Sequence, residues 1–329
     1  MGNLFSTNSV SQGNRQHSPP VNFKTEPYNI PATELKKLQL YANCAGGFGD
    51  VWLYSWSRRR HPVGTSKVAV KLIRVPQADD TELVNRTSKR IRREVHVWID
   101  LEHDHILTFN GIVDGLGPLP ALVSPWMENG SLDSYLKQGP VLSKAEKLRM
   151  LRQIAAGLKY CASIFFSVSG SDMLIDLLVH DKGVVHGDLT CTNVLMSANQ
   201  TLHLADFGLS VVLSESQNST FNSCHPGNVR WMAPELLALP EEGGVVMPTK
   251  AADVYSYGCI MLQVFCGCAP YLWLPDVFRV IAARLTGTAP FRHFRDIEDV
   301  HKEFSLRCIT VDSGGRPVAS EIVGFLPTE

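Results

Sequence analysis

Excess charge of one sign is missing from this 329-residue sequence: 31 Lys and Arg stand against 32 Asp and Glu, a formal net charge of −1. A chain so balanced offers no electrostatic footprint for a nucleic acid, and no nucleic-acid partner is expected. Its eight cysteines, at 44, 161, 191, 224, 259, 266, 268 and 308, form no C-x-x-C pair and have no histidines at zinc-site spacing, so they read as reduced thiols rather than metal ligands. The start of the chain has no apolar run of the signal-peptide kind. A cytoplasmic protein is therefore expected, and the N-x-[ST] triplets at Asn85, Asn129, Asn199 and Asn218 are read as chance matches. Internal repeats are also absent.

What is present is an ordinary globular composition, 44% hydrophobic and 19% charged, in a chain long enough for two lobes. The opening MGNLFS fits M-G-x-x-x-[ST], which makes Gly2 a candidate for myristoylation. With no cysteine or basic cluster beside it, such an anchor would hold a membrane weakly and reversibly. Residues 1–33 are rich in Ser, Asn, Gln and Pro without apolar periodicity and read as a disordered arm. Beyond it, LQLYANCAGGFGDVWLYSW predicts two strands around a glycine turn, and KVAVKLIRV predicts a third. TELVNRTSKRIRREVHVWIDLE sets Ile91, Val95, Trp98 and Leu101 on one helical face, while ILTFNGIV and PALVSPWM read as two further strands. The second half is mainly helical. SKAEKLRMLRQIAAGLKY opens on Ser143 with Glu146 three residues on, a capping-box pattern, and TKAADVYSYGCIMLQVF, PDVFRVIAARL, IEDVHKEFSLRCI and ASEIVGFL predict four more helices.

Alone, AGGFGDV is a weak sign of a phosphate site, because glycines between strands are mostly turn residues. In order along the chain, however, AGGFGDV, VAVK, the helical REV, HGDLTCTN, ADFG and APE make the sequence resemble a eukaryotic protein kinase from about residue 36 onward, closest in look to the tyrosine-kinase-like group. The resemblance implies an α+β, two-lobed fold, with a small β-rich N-lobe over about 34–126, a larger helical C-lobe over about 127–329, and ATP between them. It implies Lys71 on the α and β phosphates with Glu94 as its partner, Asp188 as the base for a hydroxyl of a protein substrate, and Asn193 and Asp206 as ligands of Mg2+. Gly46, Gly47 and Gly49 would admit the phosphates, and Val51, Ala69 and Leu195 would line the nucleotide pocket. Ser124 would be a small gatekeeper, with the Pro125 carbonyl and the Met127 N–H facing the adenine; proline's missing N–H is not needed there. Glu235 and Arg316 would form a buried ion pair, and Asp253 would brace the catalytic loop.

Four departures from the family pattern stand out. Cys44 replaces the first glycine of the loop, a modest loss of freedom. Gly187 replaces the arginine of H-R-D, so control through a phosphorylated activation loop is not expected. Thr190, Thr192 and Asn228 complete neither the serine/threonine nor the tyrosine signature; RWMAPE and PWMENGSL favour Ser/Thr acceptors, with tyrosine left open. These substitutions raise a pseudokinase or ATP-binding interaction module as the alternative, against which Lys71, Asp188, Asn193 and Asp206 speak.

The fourth departure is an extra stretch, about 161–178, between GLKY and VHDKGVVHGDL. As a membrane span it would bury Asp172 and Asp176 at about 2.5–3.5 kcal/mol each, and as a surface loop its IFF and MLIDLL are unusually apolar. The favoured reading is translated non-coding sequence, such as a short retained intron that keeps the frame.

Overall fold

Aromatic and β-branched residues alternate with polar ones in the first third of the chain, and there the backbone forms a six-stranded antiparallel sheet. The computed structural model describes residues 27–45, 49–58, 64–74, 79–138, 141–163, 179–180, 183–207, 228–237, 246–292 and 297–326. Strands β1 (Leu35–Lys37), β2 (Cys44–Ala45), β3 (Gly49–Trp56), β4 (Ser66–Ile73), β5 (Gly111–Val113) and β6 (Ala121–Pro125) lie in the order β1-β3-β4-β6-β5, with β2 paired to β3. Alternation along β4 sends Val68 and Val70 into a small cluster with Ile30, Tyr54, Trp56, Val113 and Val123, and leaves Ala69 and Lys71 on the opposite face. Helix α1 (Thr81–Ile99) starts where the Asp80 carboxylate accepts the Leu83 N–H. Its predicted apolar face is real: Ile91, Val95 and Trp98, followed by Leu101, are all buried in the main core.

The second lobe is built around one helix. After α2 (Leu132–Gln138) and α3 (Lys144–Ser163) come two short hairpins, β7 (Val179–His180) with β8 (Gly183–Val184) and β9 (Val194–Met196) with β10 (Leu202–Leu204). Then follow α4 (Lys250–Cys266), α5 (Val277–Leu285), α6 (Asp299–Cys308) and α7 (Ala319–Phe325). Every residue of α4 from Ala252 to Phe265 is buried, and the polar Asp253, Ser256 and Gln263 among them are hydrogen-bonded. Thr249 caps its first turn and Gly267, at φ +71°, ends it. Ser143 and Glu146 form the predicted capping box, with the Ser143 N–H on Glu146 Oε2 at 2.8 Å and the Glu146 N–H on Ser143 Oγ at 3.3 Å.

Several details differ from the sequence reading. The chain joins the sheet before residue 33: the Ile30 N–H bonds to the Ile112 carbonyl at 2.8 Å, the Ile112 N–H bonds to the Tyr28 carbonyl at 2.9 Å, and Ile30 is buried. Prolines on either side of Ile30 hid this from any periodicity. ILTFNGIV contributes only Gly111–Val113 as strand. Helix α3 continues through Ser163, with Cys161 fully buried and the Ala162 carbonyl accepting from Lys250 Nζ at 2.8 Å, so the first three residues of the expected insertion are helix. The remainder of that stretch, 164–178, and residues 1–26 with Gly2 lie outside the described residues. Among the described residues, six cysteines carry free thiols, and no helix is long and apolar enough to cross a membrane.

Candidate active site

The face of β4 that carries Ala69 and Lys71 looks into the cleft between the lobes. Register places Val51 of β3 opposite Lys71, and Ser124 and Pro125 of β6 opposite Ala69 and Val68. Five of the positions assigned to the nucleotide, Val51, Ala69, Lys71, Ser124 and Pro125, are thus brought together by strand pairing alone. Ser124 is buried, and Met127, just past β6, packs half-buried on the core while its carbonyl accepts the Gly130 N–H. Leu195 rises from the other side of the cleft, on β9. Gly49 begins β3; Gly46 and Gly47 lie outside the described residues.

The loop between β8 and β9 carries the catalytic assignments, and the first turn of α4 holds it. Asp253, itself buried, accepts the His186 N–H at 2.7 Å and the Gly187 N–H at 2.8 Å with its two carboxylate oxygens. Gly187 adopts φ +76°, a left-handed conformation that turns the chain toward Asp188. Asp188 is buried beneath this turn. Its carboxylate accepts from Asn193 Nδ2 at 3.0 Å, and the same amide reaches the Asp188 carbonyl at 2.8 Å. A small pocket opens beside Asp188, bounded by Thr190, Asn228, Trp231 and Met232.

Asp206 follows β10 at φ +64°, and its carboxylate meets Lys71 Nζ at 2.6 Å across the cleft. Sequence reasoning paired Lys71 with Glu94; Glu94 stands in α1, and its side chain lies outside the described residues. Burial raises the Asp188 carboxyl to about 7, with the nearby Asp206 charge adding to it while Asn193, Lys71 and Asn228 oppose. Burial also raises Asp253 to about 7 against its two backbone hydrogen bonds, and drives the His186 imidazole down to about 4. His186 is therefore neutral near pH 7, and its ring packs 4.5 Å from that of Phe207.

Two scaffold assignments are also met. Arg316 forks onto Glu235 at 2.6 and 2.8 Å and donates further to the Thr310 and Ala251 carbonyls, with its own side chain out of solvent. Sequence reasoning missed one contact at the base: Asn228 donates from its amide to Asp188 Oδ1. The only available signal was that Asn228 breaks the family pattern, which says nothing of where its amide points.

Residues 42–166 match the family "Protein tyrosine and serine/threonine kinase", and residues 177–325 match "Protein kinase domain". The two matches leave 167–176 between them, inside the extra stretch. The chain is 30% identical to ephrin type-A receptor 5 of Rattus norvegicus, over 77% of this chain and 23% of that protein. It is 30% identical to ephrin type-A receptor 7 of Gallus gallus, over 86% and 25%, and to ephrin type-B receptor 2 of Gallus gallus, over 71% and 21%. The chain thus spans about a quarter of the length of these relatives. With kinase matches along both lobes, and a β-rich lobe facing a helical one across a cleft that holds Lys71, Asp188, Asn193 and Asp206, the chain belongs to the protein kinase family.

Proposed function

We propose that the chain transfers the γ-phosphoryl group of ATP to a protein hydroxyl, with Asp188 as the base. The observation that carries the reading is the convergence of Lys71 and Asp206 from opposite lobes beside a buried Asp188 held by Asn193. The residues suit the cofactors. Among the described residues no three His, Cys, Asp or Glu side chains gather into a metal cage. One carboxylate, Asp206, and one amide oxygen, Asn193, fit Mg2+, which keeps several waters and takes other ligands from phosphates. Bound Mg-ATP supplies the phosphoryl group and offsets its charge. The chain's own part is to bind and orient: Lys71 holds phosphates, Val51, Ala69 and Leu195 enclose the base, Ser124 leaves space behind it, and Asp188 takes the hydroxyl proton.

The acceptor is the finer question. The relatives are receptor tyrosine kinases, which weighs toward tyrosine, whereas the serine/threonine preference drawn from RWMAPE and PWMENGSL finds no support among them. We therefore propose tyrosine as the principal acceptor. A peptide array carrying Tyr, Ser and Thr acceptors tests it: phosphate on tyrosine peptides supports the proposal, and phosphate confined to serine and threonine peptides overturns it. From the M-G-x-x-x-[ST] match of MGNLFS we further propose weak, reversible membrane attachment through an acylated Gly2.

A further inference from the structure

Each carboxylate oxygen of Asp188 takes one side-chain amide. Asn193 Nδ2 lies 3.0 Å from Oδ2, and Asn228 Nδ2 lies 2.5 Å from Oδ1. Asn193 belongs to the same loop as the base, five residues on, but Asn228 comes from a segment forty residues away in sequence.

That segment is firmly mounted. Val229 is fully buried, and the Trp231 N–H closes a turn on the Asn228 carbonyl at 3.0 Å. Trp231 Nε1 bonds to Gln263 of α4 at 3.0 Å, and Ser256 of α4 donates to the Trp231 carbonyl at 3.0 Å. Arg230 donates to the carbonyls of Pro270, Tyr271 and Leu274. Asn228 therefore hangs from the same helix whose Asp253 holds the backbone just before Asp188.

Thr190 and Thr192, two and four residues after Asp188, bond to each other through their hydroxyls at 2.7 Å. Among the described residues, the side chains that bond to the Asp188 carboxylate are the two neutral amides.

We propose that Asn228 is a positioning residue for phosphoryl transfer, fixing the plane of the Asp188 carboxylate so that a free lone pair meets the acceptor hydroxyl. The inference rests on the protein kinase reading of this site. A carboxylate held at one oxygen can still turn about its Cβ–Cγ bond; a second donor on the other oxygen stops that rotation. Two amides occupy two of its roughly four lone-pair positions, leaving room for the hydroxyl. Small misplacement of a reacting group costs up to about a hundredfold in rate.

The test uses the full chain with Asn228→Ala and Asn228→Thr, the latter keeping a donor. Expected for Asn228→Ala is a loss of about tenfold or more in kcat, with KM for ATP and thermal midpoint unchanged, and partial recovery in Asn228→Thr. A kcat within twofold of wild type in Asn228→Ala overturns the proposal. So does a loss that comes with a lowered thermal midpoint and is not recovered by threonine, which marks a structural role. The second readout is the Asn228 side-chain amide resonance pair, assigned by its disappearance in Asn228→Ala and followed in Asp188→Ala. Should the wild type bind ATP yet transfer no phosphoryl group, the kinase reading fails, and these resonances decide the contact on their own. Movement on loss of the Asp188 acceptor keeps Asn228 as holder of that carboxylate; no movement overturns it.

Discussion

Replacing Gly187 by alanine measures how tightly the catalytic loop is set. At φ +76° an L-residue is strained by roughly 1–2 kcal/mol. An added Cβ would also stand 2.9 Å from Pro248 Cγ, where carbon contacts settle at about 3.5–4.0 Å. Relieving that overlap costs about 1–3 kcal/mol in a packed setting. Turning the backbone instead would draw the Gly187 N–H away from Asp253, a hydrogen bond to a charged group worth about 1.5–3 kcal/mol. By either route Gly187→Ala should lose roughly 2–4 kcal/mol in urea unfolding, and transfer activity should fall with it. Adding Pro248→Ala should remove the steric part and leave roughly 1–2 kcal/mol. Gly187→Arg, which rebuilds the H-R-D triplet, carries the same Cβ and should be destabilised likewise. Stability of Gly187→Ala within about 0.5 kcal/mol of wild type, the range of an ordinary surface change, would refute the reasoning.

Three further expectations follow from the same geometry. Arg316→Lys keeps the charge but loses the fork onto Glu235 and the bonds to the Thr310 and Ala251 carbonyls, and should cost about 2–4 kcal/mol in denaturant unfolding; a cost below about 0.5 kcal/mol contradicts the buried pair. Asp188 and Asp253 both have folded-state values near 7 against an ordinary value of 3.8. The native state of the unliganded protein therefore keeps protons that the unfolded chain has released, so stability is fullest below about pH 4 in these two terms and declines as pH rises to about 7. His186, held neutral with a value near 4, works the other way, so the difference is read: the urea midpoint of the wild type should fall relative to that of Asp253→Asn over that window, and a difference that stays flat or rises refutes the assignment. Removing 164–178, which keeps the buried Cys161 and the Ala162 carbonyl that accepts from Lys250, should give a chain that unfolds at higher temperature and transfers phosphate at least as well as the full one. Loss of activity on removal, or a single uninterrupted exon across this region, would show that the stretch belongs to the protein.

Much of this arrangement could be read from the residues because one periodicity or one motif fixed it. KVAVKLIRV read as a strand, the resemblance put its Lys71 and Ala69 at the nucleotide, and the spacing of Ile91, Val95, Trp98 and Leu101 gave the buried side of α1. The roles of Asp188, Asn193, Asp206 and Asp253 came from motif order, and the hydrogen bonds of HGDLTCTN are consistent with them. What stayed hidden had no period to show. Strands β7 to β10 are two or three residues long, too short to alternate, and α2 offers barely two turns. Ile30 sits between prolines, where pairing with Ile112 depends on a distant partner. Asn228 reaches Asp188 only through a fold that brings residues forty apart together, a contact that no local pattern encodes.

The central claim is that Asp188 serves as the base in phosphoryl transfer from ATP. It is tested most directly by incubating labelled ATP and magnesium with a peptide acceptor and either the wild type or Asp188→Asn, with nucleotide binding measured alongside. The account predicts transfer by the wild type and a loss of about a hundredfold or more in the variant while both bind ATP. Transfer by neither with nucleotide still bound, or equal transfer by both, would contradict it.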